Sequence, residues 1–292
     1  MAAQCNPKRL ATVGAAAFAV HVALVSLWWP IPPMVGSFSA PLYLLGNLSV
    51  LLVAAAVWRA GPRAVSPWSD SIGTPAWRLA AFAIVAGGVV AGLALRVVDR
   101  ELYFDYWREE GVFEPLTLFA FAASAALLWN TAALAERTRP WRLAALAFLF
   151  LALEEVDWFG IFGGVIGRIE GAYAGSLHDV IRLAALGLVG AIAWAVLGAI
   201  ALVLAYALWR GRWLDFGWIR RRILAPEIGW VVLAAALLAL AAAEDAEMVV
   251  LVTGKPTAEE AIEMGGGFAL AAWALESAAR IVRRARSRAS PR

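Results

Sequence analysis

The chain has 292 residues, of which 62% are hydrophobic and 16% charged, and its 25 Lys and Arg residues nearly balance its 22 Asp and Glu residues. Soluble domains are about half apolar and about a quarter charged, so this composition excludes an ordinary soluble protein and predicts a membrane protein. The single cysteine, Cys5, excludes an intramolecular disulfide.

Long apolar runs predict the elements of the fold. A helix needs about 20 consecutive apolar residues to cross a bilayer. The predicted spans, in chain order, are 10–29, 40–58, 77–98, 113–135, 141–164, 180–208, 228–252 and 259–280. We therefore expect an all-α fold, a polytopic transmembrane helix bundle of about eight spans that forms one domain over residues 1–292.

The basic residues predict the orientation of this bundle. Most of them lie in the N-terminus, in the loops at 59–78, 136–142 and 209–222, and in the tail from Arg280 onward. Because cytoplasmic loops are enriched in Lys and Arg, both termini are predicted to be cytoplasmic. We interpret the basic tail as a topology determinant beside anionic lipid rather than as a nucleic-acid binder, so the expected partner is membrane lipid. The sequence does not fix the oligomeric state.

The fifth predicted span carries acids inside an apolar run. Its stretch FLFLALEEVDWFGIFGG, at 148–164, contains Glu154, Glu155 and Asp157. Counted from the cytoplasmic end, the two glutamates lie roughly 20 Å into an apolar layer of about 30 Å, in its outer half. Charged groups at such depth usually face a cavity, a partner or a pathway, so this pair indicates a functional site.

Other spans bring polar residues to the same predicted level. His178 and Arg182 are four residues apart at the outer start of span six, so they share a helix face. Glu260 fits a capping box with Thr257, whereas Glu263 lies one turn deeper and has no such local explanation. The remaining polar residues at this level are Arg96 and Asp99 at the end of span three and Glu244, Asp245 and Glu247 at the end of span seven.

The predicted cytoplasmic half has far fewer polar residues within its spans. Glu276 is most simply paired with Arg280 at i+4 on the same helix. His21, in the middle of span one, is expected to be a core histidine that forms a hydrogen bond across helices to Ser26 or Asn47. Both readings are structural rather than catalytic.

Four short elements of the sequence carry a family resemblance. They are the acidic-Gly-x-x-Glu element at Glu109, Glu110, Gly111 and Glu114, the EE-x-x-W element at Glu154, Glu155 and Trp158, the Leu-His element at His178, and the EE-x-x-E element at Glu259, Glu260 and Glu263. In these elements the chain resembles an uncharacterised family of bacterial multi-pass membrane proteins. It departs from the family pattern at Asp179, where Asn is expected, and at Phe159 and Gly160, where Gly and Gln are expected. The resemblance implies a site on the outer side and location in a bacterial inner membrane, but no substrate.

Carboxylates beside one histidine are typical of acid–base or metal chemistry. The predicted catalytic residues are Glu154, Glu155 and His178, and a divalent metal would be held by Glu154, His178 and Glu263. The predicted substrate-binding residues are Arg96, Arg182 and Trp158, with the arginines holding an anionic head group such as a lipid phosphate. The favoured function is a membrane-embedded enzyme acting on a lipid or a lipid-linked anionic substrate. A proton- or cation-coupled transporter and a non-catalytic membrane assembly subunit are the alternatives, so the sequence leaves open whether the protein is an enzyme.

Overall fold

The computed structural model describes residues 6–27, 39–99, 112–155, 202, 206, 208–211, 216–245 and 259–289. Every regular element in these residues is helical, which confirms the all-α prediction for the described part of the chain. The helices are α1 (Pro7–Leu27), α2 (Ser39–Ala60), α3 (Pro75–Val98), α4 (Phe113–Ala132), α5 (Thr138–Glu154), α6 (Phe216–Ile223), α7 (Ile228–Asp245) and α8 (Glu259–Ala289), with 3₁₀ turns at Gly61–Ala64 and Ser66–Trp68.

Four segments in the described residues are long and apolar enough to cross a membrane. They are Pro7–Ser26, Leu45–Ala64, Pro75–Val98 and Phe113–Ala132. These segments coincide with the first four predicted spans and support a membrane protein. Predicted spans five, six and seven extend partly into residues 156–201 and 246–258, outside the described residues. The eighth predicted span, 259–280, lies within helix α8, which is not among the segments long and apolar enough to cross a membrane, so the number eight stays a prediction.

Helix α8 packs against three other helices of the described bundle, α3, α4 and α7. Three consecutive glycines at 265–267 allow three neighbouring helices to approach it on different sides. A Cβ added to Gly265 would lie 2.4 Å from Val89 of α3, and one added to Gly266 would lie 2.9 Å from Leu238 of α7. A Cβ added to Gly267 would lie 3.2 Å from Thr117 of α4. Small residues at such crossings let backbones come close, which is how helices pack where no water drives association.

The neighbours of α8 differ in direction. The end of α3 lies beside the start of α8, where a Cβ on Gly92 would be 2.4 Å from Ala261, and the start of α3 lies beside Glu276. Helix α3 is therefore antiparallel to α8. Helix α4 is parallel to α8. Phe113, at the start of α4, clusters with Ala261, and Leu127, near its end, clusters with Ala278 and Ala279.

This arrangement gives the bundle two chemically different ends. The acidic end holds the end of α3 and α5 and the start of α4 and α8. Its carboxylates among the described side chains are Asp99, Glu114, Glu155, Glu259, Glu260 and Glu263. The basic end holds the start of α3, α5 and α7 and the end of α8, and its arginines include Arg137, Arg221, Arg280, Arg283, Arg284, Arg286 and Arg288. The sequence predicts the acidic end outside and the basic end in the cytoplasm.

A series of aromatic side chains runs from the basic end into the layer between the two ends. The ring of Trp141 is 5.1 Å from that of Trp218 and 6.0 Å from that of Trp273. Phe148 continues the series, 6.1 Å from Trp273 and 6.2 Å from Phe121. Offset and edge-on ring pairs at these separations are favourable, so the middle of the described bundle is a packed apolar core.

Helices α1 and α2 pack as a close antiparallel pair. His21 is fully buried and stacks on Phe18, and a Cβ on Gly46 would lie 2.8 Å from its Nε2 atom. The expectation that His21 is a core residue is confirmed. The predicted hydrogen bond to Asn47 is wrong, since neither amide atom of Asn47 has a partner in the described residues. Glycine at position 46 leaves room for the Nε2 end of the imidazole ring to approach α2 closely.

Candidate functional site

Arg96 is the buried cation of the acidic end. Its side chain is 5% exposed, although α3 otherwise shows much apolar surface to the outside of the bundle. It lies one helical turn beyond Gly92, so both residues are on the same face of α3. That face packs on the starts of α8 and α4, where Gly92 approaches Ala261 and the ring of Phe113. The guanidinium is therefore on the side of α3 that faces the helix starts carrying carboxylates.

The carboxylates of the acidic end are only partly exposed. Each of the six engages in a hydrogen bond or an electrostatic interaction, so they form a structured group rather than a fully solvated one. Two of them, Glu259 and Glu260, are in the first turn of α8, where the helix dipole favours negative charge. Glu263 is one turn further into the bundle and cannot be explained by that effect alone. This end of the molecule can hold protons or bind cations on its carboxylates and can bind an anion through Arg96.

The structure places three side chains of the predicted site. Arg96, Glu155 and Glu263 are all at the acidic end. Glu155 lies just after the last turn of α5, where its backbone N–H donates to the carbonyl of Leu151 at 3.2 Å. Glu154 is the last residue of α5, and its side chain is outside the described residues.

The other predicted site residues are Trp158, His178 and Arg182, and they too lie outside the described residues. The grouping of His178 with the glutamates therefore stays a prediction. Within the described ranges no three His, Cys, Asp or Glu side chains come close enough to hold a metal ion. The predicted metal set of Glu154, His178 and Glu263 extends beyond those ranges, so it is likewise untested.

At the basic end, the predicted pairing of Glu276 with Arg280 is wrong. The carboxylate of Glu276 is 2% exposed and accepts hydrogen bonds from Arg78 Nε at 2.8 Å and Arg78 Nη2 at 2.7 Å. Trp230 Nε1 donates a third bond to it at 2.9 Å. Arg280 pairs instead with the fully buried carboxylate of Glu227. Arg78 on α3 and Glu227 just before α7 take the place of the intrahelical partners, because both segments pack directly against this part of α8.

Two further arginines of α8 hold the connection between α2 and α3. Arg283 donates to the carbonyls of Ser69 and Ile72, the latter at 3.0 Å. Arg286 donates to Ser69 Oγ at 3.1 Å and to the carbonyl of Ser66 at 2.6 Å. Part of the basic tail is thus a structural element, in addition to any effect on topology. The signal was in the sequence, because positions 276, 280 and 283 follow the i, i+4, i+7 spacing of one helix face.

Comparison with known proteins gives no match from which a function could be inferred. No protein-family model, no curated protein and no solved structure matches the chain. The family resemblance therefore stays a prediction, and the functional argument depends on the chemistry of the chain's own residues.

Proposed function

We propose that this protein is a membrane-embedded enzyme that acts on a lipid or a lipid-linked anionic substrate at its acidic end. The observation that supports the proposal is Arg96, a buried guanidinium at the end of an apolar helix, next to helix starts that carry partly buried carboxylates. Ionisable side chains within membrane-spanning helices are costly and usually functional. A guanidinium binds phosphate or carboxylate groups through two parallel hydrogen bonds, which fits an anionic head group.

The proposed roles of the residues follow their chemistry. Glu154, Glu155 and His178 would transfer protons, because carboxylates and imidazole are the commonest acids and bases in enzymes. Arg96 and Arg182 would hold the anionic group of the substrate, with Trp158 against its apolar part. The divalent metal remains part of the proposal, with the oxygens of Glu154 and Glu263 and the imidazole of His178 as its ligands. When bound, such an ion would supply Lewis-acid activation of the substrate's anionic group.

The membrane topology is also a proposal. Eight spans with both termini in the cytoplasm would place the acidic end outside and the substrate in the outer leaflet of a bacterial inner membrane. Support comes from the four described segments of membrane length and from the arginines collected at the other end of the bundle.

An enzyme is favoured over a transporter by the layer between the two ends. Helix α8 carries no ionisable residue between Glu263 and Glu276, a distance of roughly 20 Å along the helix. The aromatic series from Trp141 to Phe121 packs against α8 in this layer. A proton or cation pathway needs polar groups throughout, and the described helix α8 offers no ionisable side chain in this layer. A chemical site confined to one end requires no such pathway.

The buried hydroxyl groups of α4 are compatible with an enzyme and do not favour a transporter. Thr117, Ser124 and Thr131 each donate to a carbonyl one turn back in their own helix, at 3.0, 2.6 and 2.8 Å. Their donors are therefore satisfied within the helix, which is the usual way in which a membrane helix accommodates Ser and Thr.

Lipid analysis of membranes that contain the protein tests the proposal. The wild type would be compared with Glu154→Gln, Glu155→Gln and His178→Ala, and with Asp70→Asn as a control at an exposed position of the basic end that does not line a cleft there. We expect one class of anionic lipid, or its product, to change in amount with the wild type and the control but not with the three site variants. Equal expression in the membrane shows that the variants fold.

Two results would contradict the proposed enzymatic function. An unchanged lipid composition together with pH-driven ion flux in proteoliposomes would support the transporter, and loss of all three variants from the membrane would make the acids structural. Metal content of the purified protein, measured by mass spectrometry beside His178→Ala, tests the metal separately. A stoichiometric metal that is absent from the variant supports it, and equal content in both excludes His178 as a ligand.

A further inference from the structure

We propose that the basic end carries a second binding site, a cleft that takes a phosphate-bearing anion. The cleft has a volume of about 350 Å³ and lies where the turn after α4, the start of α5, helix α6 and the end of α8 meet. The ionisable side chains that line it are Glu136, Arg137, Arg221, Arg280, Arg284 and Arg288. It is at the end of the molecule opposite to the predicted catalytic site, so the inference does not depend on the proposed function.

Charge is the first argument for an anionic ligand. Five arginines and one glutamate line the cleft, and the arginines come from three separate segments of the chain. Arg280, Arg284 and Arg288 follow each other at intervals of four residues, so they form a row on one face of α8. Cations that converge on one concave surface repel each other and concentrate anions there.

The second argument concerns which of these cations have counter-charges. Arg280 pairs with Glu227, and Arg288 pairs with Glu136 at 2.6 Å. The guanidinium groups of Arg221 and Arg284 have no hydrogen bond or ion pair within the part of the chain that the structure describes. They approach the cleft from different helices, α6 and α8. Two guanidiniums that line one cleft from opposite elements can both donate to the oxygens of one phosphate group, which accepts several such bonds.

The third argument is the apolar wall. Trp141 and Trp218 line the same cleft and pack edge to face, with ring centroids 5.1 Å apart. Trp218 and Arg221 are three residues apart on α6, so they are neighbours on one face of that helix. Indole rings are typical of the membrane–water interface, where an apolar part and a polar part of one ligand meet. A phosphate with an attached apolar group therefore fits the lining better than a small inorganic anion does.

This chemistry is that of an anionic phospholipid head group in the leaflet next to the basic end, and basic clefts between membrane helices bind such head groups. A soluble phosphate ester shares the anionic part of it. The two sources differ in the apolar portion, which only the lipid would place against Trp141 and Trp218.

The test uses the full-length protein, purified and delipidated in a non-ionic detergent. Binding of a short-chain phosphatidylglycerol would be measured by calorimetry, beside short-chain phosphatidylcholine and inorganic phosphate. The double variant Arg221→Gln/Arg284→Gln removes the two cations that have no described partner. The matched control is Arg63→Gln/Arg220→Gln, which removes the same charge from exposed basic-end positions that do not line the cleft.

We expect phosphatidylglycerol to bind to the wild type and the control, and to bind about tenfold or more weakly to the cleft variant, since charge-assisted hydrogen bonds are strong. Inorganic phosphate that binds as tightly and with the same loss in the cleft variant would support the site with a soluble ligand as its source. Equal binding by the cleft variant, an equal loss in the control, or no anion binding at all would overturn the proposal. Unchanged thermal unfolding of both double variants shows that neither is misfolded.

Discussion

Two ion pairs of almost equal length lie in different surroundings at the basic end. The pair between Arg78 and Glu276 is 2.7 Å long, and its carboxylate side chain is 2% exposed. The pair between Arg288 and Glu136 is 2.6 Å long, and its side chains are 47% and 73% exposed. The distances are nearly equal, but Glu276 accepts hydrogen bonds from two nitrogens of Arg78 and Glu136 from one nitrogen of Arg288. A comparison of the two pairs therefore measures the combined effect of burial and of the second hydrogen bond on the free energy of unfolding.

The structure sets the expected magnitudes. Arg78→Met leaves the buried carboxylate of Glu276 with only the indole N–H of Trp230, and stranding a buried charge costs about 3–5 kcal/mol. Glu276→Gln should cost less, about 1.5–3 kcal/mol, because the Arg78 side chain is 36% exposed and can be hydrated. Glu136→Gln at the exposed pair should cost no more than about 1 kcal/mol.

A double variant separates the pair from its parts. Arg78→Met/Glu276→Leu removes both charges, and replacing a buried pair by apolar residues is often close to neutral. It still leaves the Trp230 N–H without its acceptor, which costs about 1–3 kcal/mol. We therefore expect the double variant to be more stable than Arg78→Met alone.

The assay is equilibrium unfolding in mixed detergent micelles, followed by tryptophan fluorescence. The expected order of stability is wild type and Glu136→Gln first, then Glu276→Gln, and Arg78→Met last. The reasoning is refuted if Arg78→Met is no less stable than Glu136→Gln, or if the double variant loses as much as both single variants together. Either result would mean that Glu276 is hydrated in the folded protein.

Two further predictions test the packing and the topology. Gly265→Ala should destabilise the bundle by about 1–3 kcal/mol in the same assay, because its Cβ would lie 2.4 Å from the stiff side chain of Val89. The control, Gly87→Ala, should be neutral or stabilising, because no heavy atom lies within 4 Å of its Cβ. Equal effects of the two substitutions would contradict the packing. In a Cys5→Ser background, a cysteine at position 105 should react with an impermeant reagent from outside the cell and one at position 215 should not; the reverse pattern would invert the proposed topology.

Helix positions could be predicted from the sequence because apolar runs and caps are local signals. The predicted span 77–98 corresponds to α3, Pro75–Val98, which starts at a threonine cap: Thr74 Oγ1 accepts from the backbone N–H of Trp77 at 3.3 Å. Helix α8 shows the limit of this signal. It continues to Ala289, beyond the predicted end at 280, because Arg283 and Arg286 dock on the turns after α2.

The partners of buried charges could not be predicted in the same way. Arg280 is the nearest cation to Glu276 in sequence, and i+4 spacing favours that pair. The observed partner, Arg78, is 198 residues away, and it is brought there by the antiparallel packing of α3 on α8. Local spacing identifies which residues share a helix face, but the choice of partner depends on which helix covers that face. The same limit applies to the predicted grouping of Glu154 with His178.

The two charged ends of the bundle are proposed to be two separate sites rather than the ends of one pathway. The apolar aromatic layer divides them, and α8 is the element that belongs to both. Coupling between distant sites requires an element with two alternative arrangements, whereas α8 is held by three close helix contacts at its central glycines. Substitutions in the basic cleft should therefore change lipid binding and leave chemistry at the acidic end unaltered. If Arg221→Gln/Arg284→Gln altered the lipid products that the wild type makes, the two ends would have to communicate through a movement of α8 itself.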